Sequence, residues 1–348
     1  MDETILLGHM EYRSFGLDVG RLAAILLVIS LHIIAPAFSP MRDDWVSVDV
    51  FMSFSRICVP VFFMMSGALL LGRIDGPRDY VRRLLKIIIP TIVWAGVYLL
   101  WADRYHEHKT ITSLWDVYSR LPYFHFWFVY EIVGLYLLLP ALRAIVQTRP
   151  LAAGSFLMLW MIFGSVLPIL RFTGTDLPDP AFNVRCFQGY TGVFLIGYFL
   201  SLNDYSTRAR LLGLVTYVMF SIAIAFATYH HAMKIGVPDQ TPFYIYTSPW
   251  VLLASVGAFV FLRQLHAPNR TIARAVQLLA DGAFSVYFAH MILIETLQLG
   301  LFTGYPLSYN TGGTLWIGTP MLTLFVFGIC FLLLYPVRKF RPLRYLVG

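Results

Sequence analysis

Charge is scarce in this chain. Charged residues make up 13% of its 348 positions, about half of what a soluble globular protein carries. Too little remains to cover a water-facing surface, which excludes a cytoplasmic enzyme and a disordered chain. Cysteine is scarcer still. Cys58, Cys186 and Cys330 are the only three, none in a CxxC pair and all in or beside apolar stretches. A disulfide-stapled secreted domain and a zinc framework are excluded, and the cysteines read as small hydrophobes. The first residues lack the basic region of a signal peptide and carry Asp2, Glu3 and Glu11 instead, so the first apolar run is expected to be retained. No polar stretch is long enough for a soluble domain, and there is no internal repeat.

What is present is hydrophobicity: 58% apolar residues and a mean hydropathy of +0.69. These predict an all-α, polytopic membrane helix bundle forming one integral-membrane domain over 1–348. Lipid forces every spanning segment to satisfy its own backbone. Ten stretches are candidate spans: 17–38, 50–72, 84–102, 124–143, 152–171, 186–202, 211–230, 243–263, 278–301 and 315–337. The sixth is the shortest.

The net charge of +7 reads as a topology signal, not as a nucleic-acid footprint. With the N-terminus placed in the cytoplasm, seventeen Lys and Arg fall on the cytoplasmic side and seven on the other, with Arg21 and Arg56 inside spans. Both termini are therefore expected in the cytoplasm.

Ionisable side chains inside spans are costly and need a reason. Asp18, Arg21, His32, Arg56, Glu131, His290 and Glu295 are such residues. Each alone is compatible with a structural hydrogen bond between helices; together they predict a polar cavity. Eleven helical steps separate Arg21 from His32, which puts them on one stripe about 16 Å apart in depth. Asp18 lies one turn before Arg21 and can pair with it. Depth arithmetic places His32, Arg56 and Glu131, with Glu295, in one outer layer. His125 and Trp127 share the outer third, His290 is about midway and Ser66 lies in the inner third. Histidine is the natural general base near neutral pH, and a carboxylate can orient it. Arg56 either holds an oxyanion or neutralises Glu131.

The densest basic cluster, Arg78, Arg82, Arg83 and Lys86, reads equally as topology with lipid headgroups or as a phosphate site. His106 and His108 flank Glu107 in an outer loop without further spaced ligands, so a solvated loop is expected and no metal. His230 and His231 read as interfacial.

These residues resemble the membrane acyltransferase-3 family. The resemblance rests on Leu17-Asp18 to Arg21 followed by His32; on Arg56 to Gly67 with Pro60, Phe62, Phe63 and Ser66; and on Arg82 and Arg83 leading to Pro90. It continues through Phe126-Trp127-Phe128, Tyr130, Tyr136 and Pro140, and ends with Ser285, Tyr287 and His290. The order is kept over nearly the whole chain. It is similar to the compact O-acetyltransferase members, the enterobacterial common antigen type among them, that lack an appended hydrolase-like domain.

The resemblance implies transfer of an acyl group, most often acetyl, from cytoplasmic acetyl-CoA to a hydroxyl of an envelope glycan or lipid-linked sugar at the bacterial inner membrane. His32 becomes the catalytic histidine, as general base or acyl carrier. Arg21 becomes its partner, with Asp18, Glu131 and Arg56 in the same machinery. Arg82, Arg83 and Lys86, with Ser66, Tyr287 and His290, become donor-binding residues, and Trp127, Tyr130 and His125 acceptor-binding ones. Membrane lipid is the other expected partner. Oligomeric state is not legible. The rival reading is a secondary transporter or flippase, since buried Arg, His and Glu also serve substrate pathways. A purely structural scaffold would leave the Arg21–His32 stripe without a role.

Overall fold

Helices account for every membrane crossing among the residues that the computed structural model describes, 15–38, 43–105, 120–172, 184–237, 242–311, 313–340 and 343–348. The first crossing is α1 (Phe15–Ile34). The second is split into α2 (Trp45–Ser55) and α3 (Cys58–Leu70). Pro60 explains the split: it has no N–H to give the carbonyl four residues back, which belongs to Arg56, and its ring crowds that carbonyl. Arg56 therefore sits at the break.

Next come α4 (Pro77–Tyr105) and α5 (Trp127–Thr148). The fifth crossing joins α6 (Pro150–Trp160) to α7 (Leu167–Phe172) through a π-helical turn, Met161–Val166. Then follow α8 (Thr191–Ser201), α9 (Thr207–Ile235), α10 (Pro249–Arg263), α11 (Arg270–Gln298), α12 (Leu315–Lys339) and the short α13 (Arg344–Val347). The outer loop with His106, Glu107 and His108 lies outside the described residues, as do Asp2, Glu3 and Glu11.

Nine segments among the described residues are long and apolar enough to cross a membrane, so the chain is a multi-pass membrane protein. The expected sixth span, 186–202, differs. Its helix is α8, with 11 residues, a rise of about 16 Å against a hydrocarbon core of about 30 Å. Gly189, at φ 72°, turns the chain before the helix starts and removes the first part of the run. The shortened helix is held by packing. A Cβ on Gly67 of α3 would lie 1.8 Å from the Phe194 carbonyl oxygen, and one on Gly197 of α8 would lie 2.0 Å from that of Met64. Glycine at both positions lets the two backbones touch.

Contacts fix which ends share a face. A Cβ on Gly16, at the start of α1, would meet the Leu262 carbonyl at the end of α10. The neighbouring Arg263 donates through Nη2 to the Ser201 carbonyl at 2.6 Å, at the end of α8. The starts of α1, α4, α6, α9 and α11 and the ends of α3, α5, α8, α10 and α12 make up the basic face. Helix α1 runs through the interior, packed on α3, α11 and α12, with Ile25, Ile29 and Ile34 fully buried. Of its polar residues, Asp18 and Ser30 are buried and Arg21 and His32 half-buried.

Candidate active site

Three histidines from three parts of the chain meet in the half of the bundle away from the basic face. His32 is in the last turn of α1. His125 is in a single 3-10 turn, Phe124–Phe126, that precedes α5. His290 is on α11. Ring centroids are 5.3 Å apart for His32–His290, 5.2 Å for His125–His290 and 6.4 Å for His32–His125. His125 and His290 are 1% and 0% exposed, whereas His32 is half-buried and is the member open to a reactant.

The two buried rings are held through their surroundings. His290 Nδ1 lies 2.6 Å from the Tyr287 carbonyl, and the Tyr287 hydroxyl donates to the His125 carbonyl. Both His125 ring nitrogens and His290 Nε2 are buried without a hydrogen-bond partner in the protein. Leaving such groups unpaired costs about 1–3 kcal/mol each, a cost expected where chemistry, not stability, sets the design. Tyr98 packs on His125 at 5.0 Å and donates its hydroxyl to the Phe288 carbonyl at 2.7 Å, tying α4 to α11 beside the cluster. Phe124 meets His32 edge-on at 5.3 Å.

The expected outer layer is rearranged. Asp18 and Arg21 do pair, at 3.4 Å one turn apart. Arg56 does not meet Glu131. Its guanidinium lies 4.2 Å over the Tyr244 ring and 5.6 Å from that of Tyr246. The carboxylate on this group is Asp49, 1% exposed, which accepts from the Tyr244 hydroxyl. Sequence reading overlooked Asp49, although it stands seven residues, about two turns, before Arg56 and so on the same face. Glu131 faces the Gly189 turn, where a Cβ would be 3.6 Å from its Oε2. Glu295 accepts from Trp101 Nε1 at 2.7 Å and from the Tyr123 hydroxyl. Trp127 stacks on Tyr246 at 5.7 Å and leans on Tyr190 at 5.5 Å, with Tyr130 half-buried one turn further along α5.

A second feature lies at the basic face: a cavity of about 500 Å³ lined by Arg83 and Lys86 of α4, Tyr136 of α5, Asp281 and Phe284 of α11, Arg338 of α12, and Arg344 and Tyr345 of α13. Four cationic side chains face one carboxylate side chain, that of Asp281, and Gly348 also belongs to the lining. Arg338 Nε is buried without a hydrogen-bond partner. The cavity contains only part of the expected donor set. Arg83 and Lys86 line it. Arg82 points outward, its side chain 62% exposed and 3.4 Å from Asp79. Tyr287 and His290 belong to the histidine cluster. Ser66 is half-buried on α3, beside the Gly67 contact with α8. Arg338 and Arg344 were legible only as topology charges, because nothing in the sequence brings the two ends of the chain together. Phe284 and His290 are six residues apart on α11, about 9 Å in depth, so one helix runs from the cavity to the histidines.

The profile of an acyltransferase domain matches residues 14–335. This chain belongs to the acyltransferase-3 family. An amino-acid racemase of Enterococcus faecalis is 25% identical over 307 residues, which are 82% of this chain and 42% of the racemase. The chain thus spans less than half the length of that curated relative. No solved structure matches significantly. The family match contains every residue of the histidine cluster, from His32 to His290, but stops short of Arg338 and Arg344. Those two cavity cations are contributions of this chain outside the matched region. Among the described residues no group of three His, Cys, Asp or Glu is arranged to hold a metal ion.

Proposed function

We propose that this acyltransferase-3 chain is a bacterial inner-membrane O-acetyltransferase. It takes an acetyl or other short acyl group from cytoplasmic acyl-CoA and places it on a hydroxyl of an envelope glycan or lipid-linked sugar. The observation that carries this reading is the pairing of a four-cation cavity at the basic face with a histidine cluster about 9 Å deeper along α11. A thioester of a phosphorylated carrier needs both: cations for the phosphates and a base where the acyl carbon arrives.

The residues then divide as follows. Arg83, Lys86, Arg338 and Arg344 hold phosphates. The Asp18–Arg21 pair lines the way between cavity and His32. His32 takes the proton of the acceptor hydroxyl as it attacks the acyl carbon, or carries the acyl group briefly itself. In either route the proton ends on the departing thiolate, which leaves as free CoA thiol. Arg56 supplies positive charge beside the reacting layer. Trp127 and Tyr130 offer apolar faces for a sugar entering from the other side, with His125 bridging this wall to His32.

Mass spectrometry of envelope glycans from cells with and without the protein tests the reading, together with acetyl-CoA binding to the purified protein. Acetyl groups that disappear from a glycan when the chain is absent are the expected result. Unchanged glycans, with no binding of acetyl-CoA, would overturn it and return the chain to the transport reading.

A further inference from the structure

We infer that Asp75, in the short connection between α3 and α4, is a positioning residue that pre-sets Arg83 for phosphate recognition in the basic-face cavity. The inference rests on the reading of that cavity as the acyl-CoA phosphate site.

Asp75 joins three elements through one carboxylate. Arg83 of α4 donates from Nη2 to Oδ1 at 3.2 Å, and its Nε lies 3.1 Å from Oδ2 as an ion-pair contact without hydrogen-bond geometry. Arg143 of α5 donates from Nη2 to the same Oδ2 at 2.7 Å. Arg143 is itself fixed, its Nε donating to the Leu70 carbonyl at the end of α3 at 2.8 Å. Gln147, one turn on, donates to the Leu71 carbonyl at 3.1 Å. The Asp75 and Arg143 side chains are 9% and 10% exposed, that of Arg83 30%.

The asymmetry suggests the role. Arg143 already ties the connection to α5, so holding the connection needs no second arginine. Arg83 is the one partner of Asp75 that lines the cavity. Asp75 occupies one edge of its guanidinium and leaves Nη1 unengaged by that carboxylate. Arg83, Arg143 and the nearby Arg73 outnumber the one carboxylate and leave a net positive charge, of which Arg83 is the member at the cavity. Lys86, Arg338 and Arg344 repel that charge, and an untethered arginine would lose both place and rotamer. Tethering removes an ordering cost that binding would otherwise meet.

The test uses the full chain in lipid discs, with calorimetric titration of acetyl-CoA and of adenosine 3′,5′-bisphosphate, which carries phosphates but no acyl arm. Asp75→Asn is expected to weaken both by about tenfold, with turnover at saturating acetyl-CoA held within about twofold, since a positioning role moves KM and not kcat. Asp75→Glu keeps the charge but shifts it, and should fall between, about threefold weaker. In an Arg83→Ala background both Asp75 substitutions should cost nothing further, because the effect runs through Arg83. Parent-like affinity in Asp75→Asn, or losses that add to that of Arg83→Ala, would overturn the inference. If the Asn variant does not fold, the Glu variant and its Arg83→Ala cycle decide alone. A parent that binds the bisphosphate but not acetyl-CoA, with binding still weakened by Asp75→Asn, would overturn the acyl-CoA reading and support Asp75. A parent that binds neither would overturn both.

Discussion

His32 differs from its two neighbours in one respect that matters for chemistry: it is half-buried where they are sealed. A base must reach its substrate, so the His32→Ala substitution should leave an inserted, folded protein and cut transfer by about 10²-fold or more. The check is turnover at matched protein levels. His290→Ala should cut turnover less, because His290 Nδ1 is occupied by the Tyr287 carbonyl and its ring is closed off. Equal losses in the two variants would move His290 into the reacting set. At the basic face the same kind of distinction separates adjacent arginines. Arg83 lines the cavity while Arg82 faces outward. Lysine keeps the charge that sets topology but lacks the planar fork that grips phosphate. Arg83→Lys should therefore weaken acetyl-CoA binding by about tenfold, and Arg82→Lys should not change it measurably. Titration calorimetry on both variants decides, and equal behaviour would return the cluster to topology alone.

Helix pairs carry the next set of constraints. The α3–α8 contact depends on two glycines facing backbone oxygens, and a short helix such as α8 has little else to hold its register. Gly197→Ala should drive the helices apart and destabilise the protein by about 1–3 kcal/mol, visible as a lower melting temperature in detergent. A neighbouring exchange on the lipid-facing side of α9, such as Leu212→Ala, serves as the control. The α3–α4 connection has a pH signature. Burial opposes ionisation of Asp75, but the Arg143 hydrogen bond and the charges of Arg83, Arg143 and Arg73 outweigh it, so the carboxyl sits below its ordinary value. A depressed native pKa contributes stability that is fully present above the unfolded value of about 3.9 and is lost as pH falls through the native one. The melting-temperature gap between parent and Asp75→Asn should therefore be constant near neutrality and close in the acid range. A gap that widens on acidification would contradict the clasp.

The bundle as a whole has two unlike faces, and its orientation is a prediction about both. The ends of α3, α8 and α10 lie on the same face as the cavity cations, and the positive-inside rule puts that face in the cytoplasm. A reporter in the exposed loop at Asp204 should be cytoplasmic, and one at Thr303, beyond α11, should be outside. The reverse result would put the four-cation cavity on the side that lacks CoA and remove the donor assignment with it. The loop at Asp204 tests the short α8 as well, because that helix must still return the chain to the basic face for α9 to start there.

Hydrophobic runs and scarce charge determined the class and the helical state, and located the nine long segments among the described residues but not the shortness of α8, because lipid permits few backbone solutions. The Arg21–His32 stripe was also legible, since a single helix fixes the angle and rise between its own residues. So was the Asp18–Arg21 pair, one turn apart. Relations between helices were not. That His125, from a turn before α5, sits against His290 on α11 follows from the packing of Tyr98, Tyr123 and Phe126 around it. The replacement of Glu131 by Tyr244 as the neighbour of Arg56 follows from the break at Pro60, which re-aims the guanidinium. The cavity joins residues 83 and 344 only because α13 folds back under α4 and α11. Periodicity specifies a face of a helix; which neighbour that face meets is decided by side-chain volume and close backbone approach, and these act only in the assembled bundle.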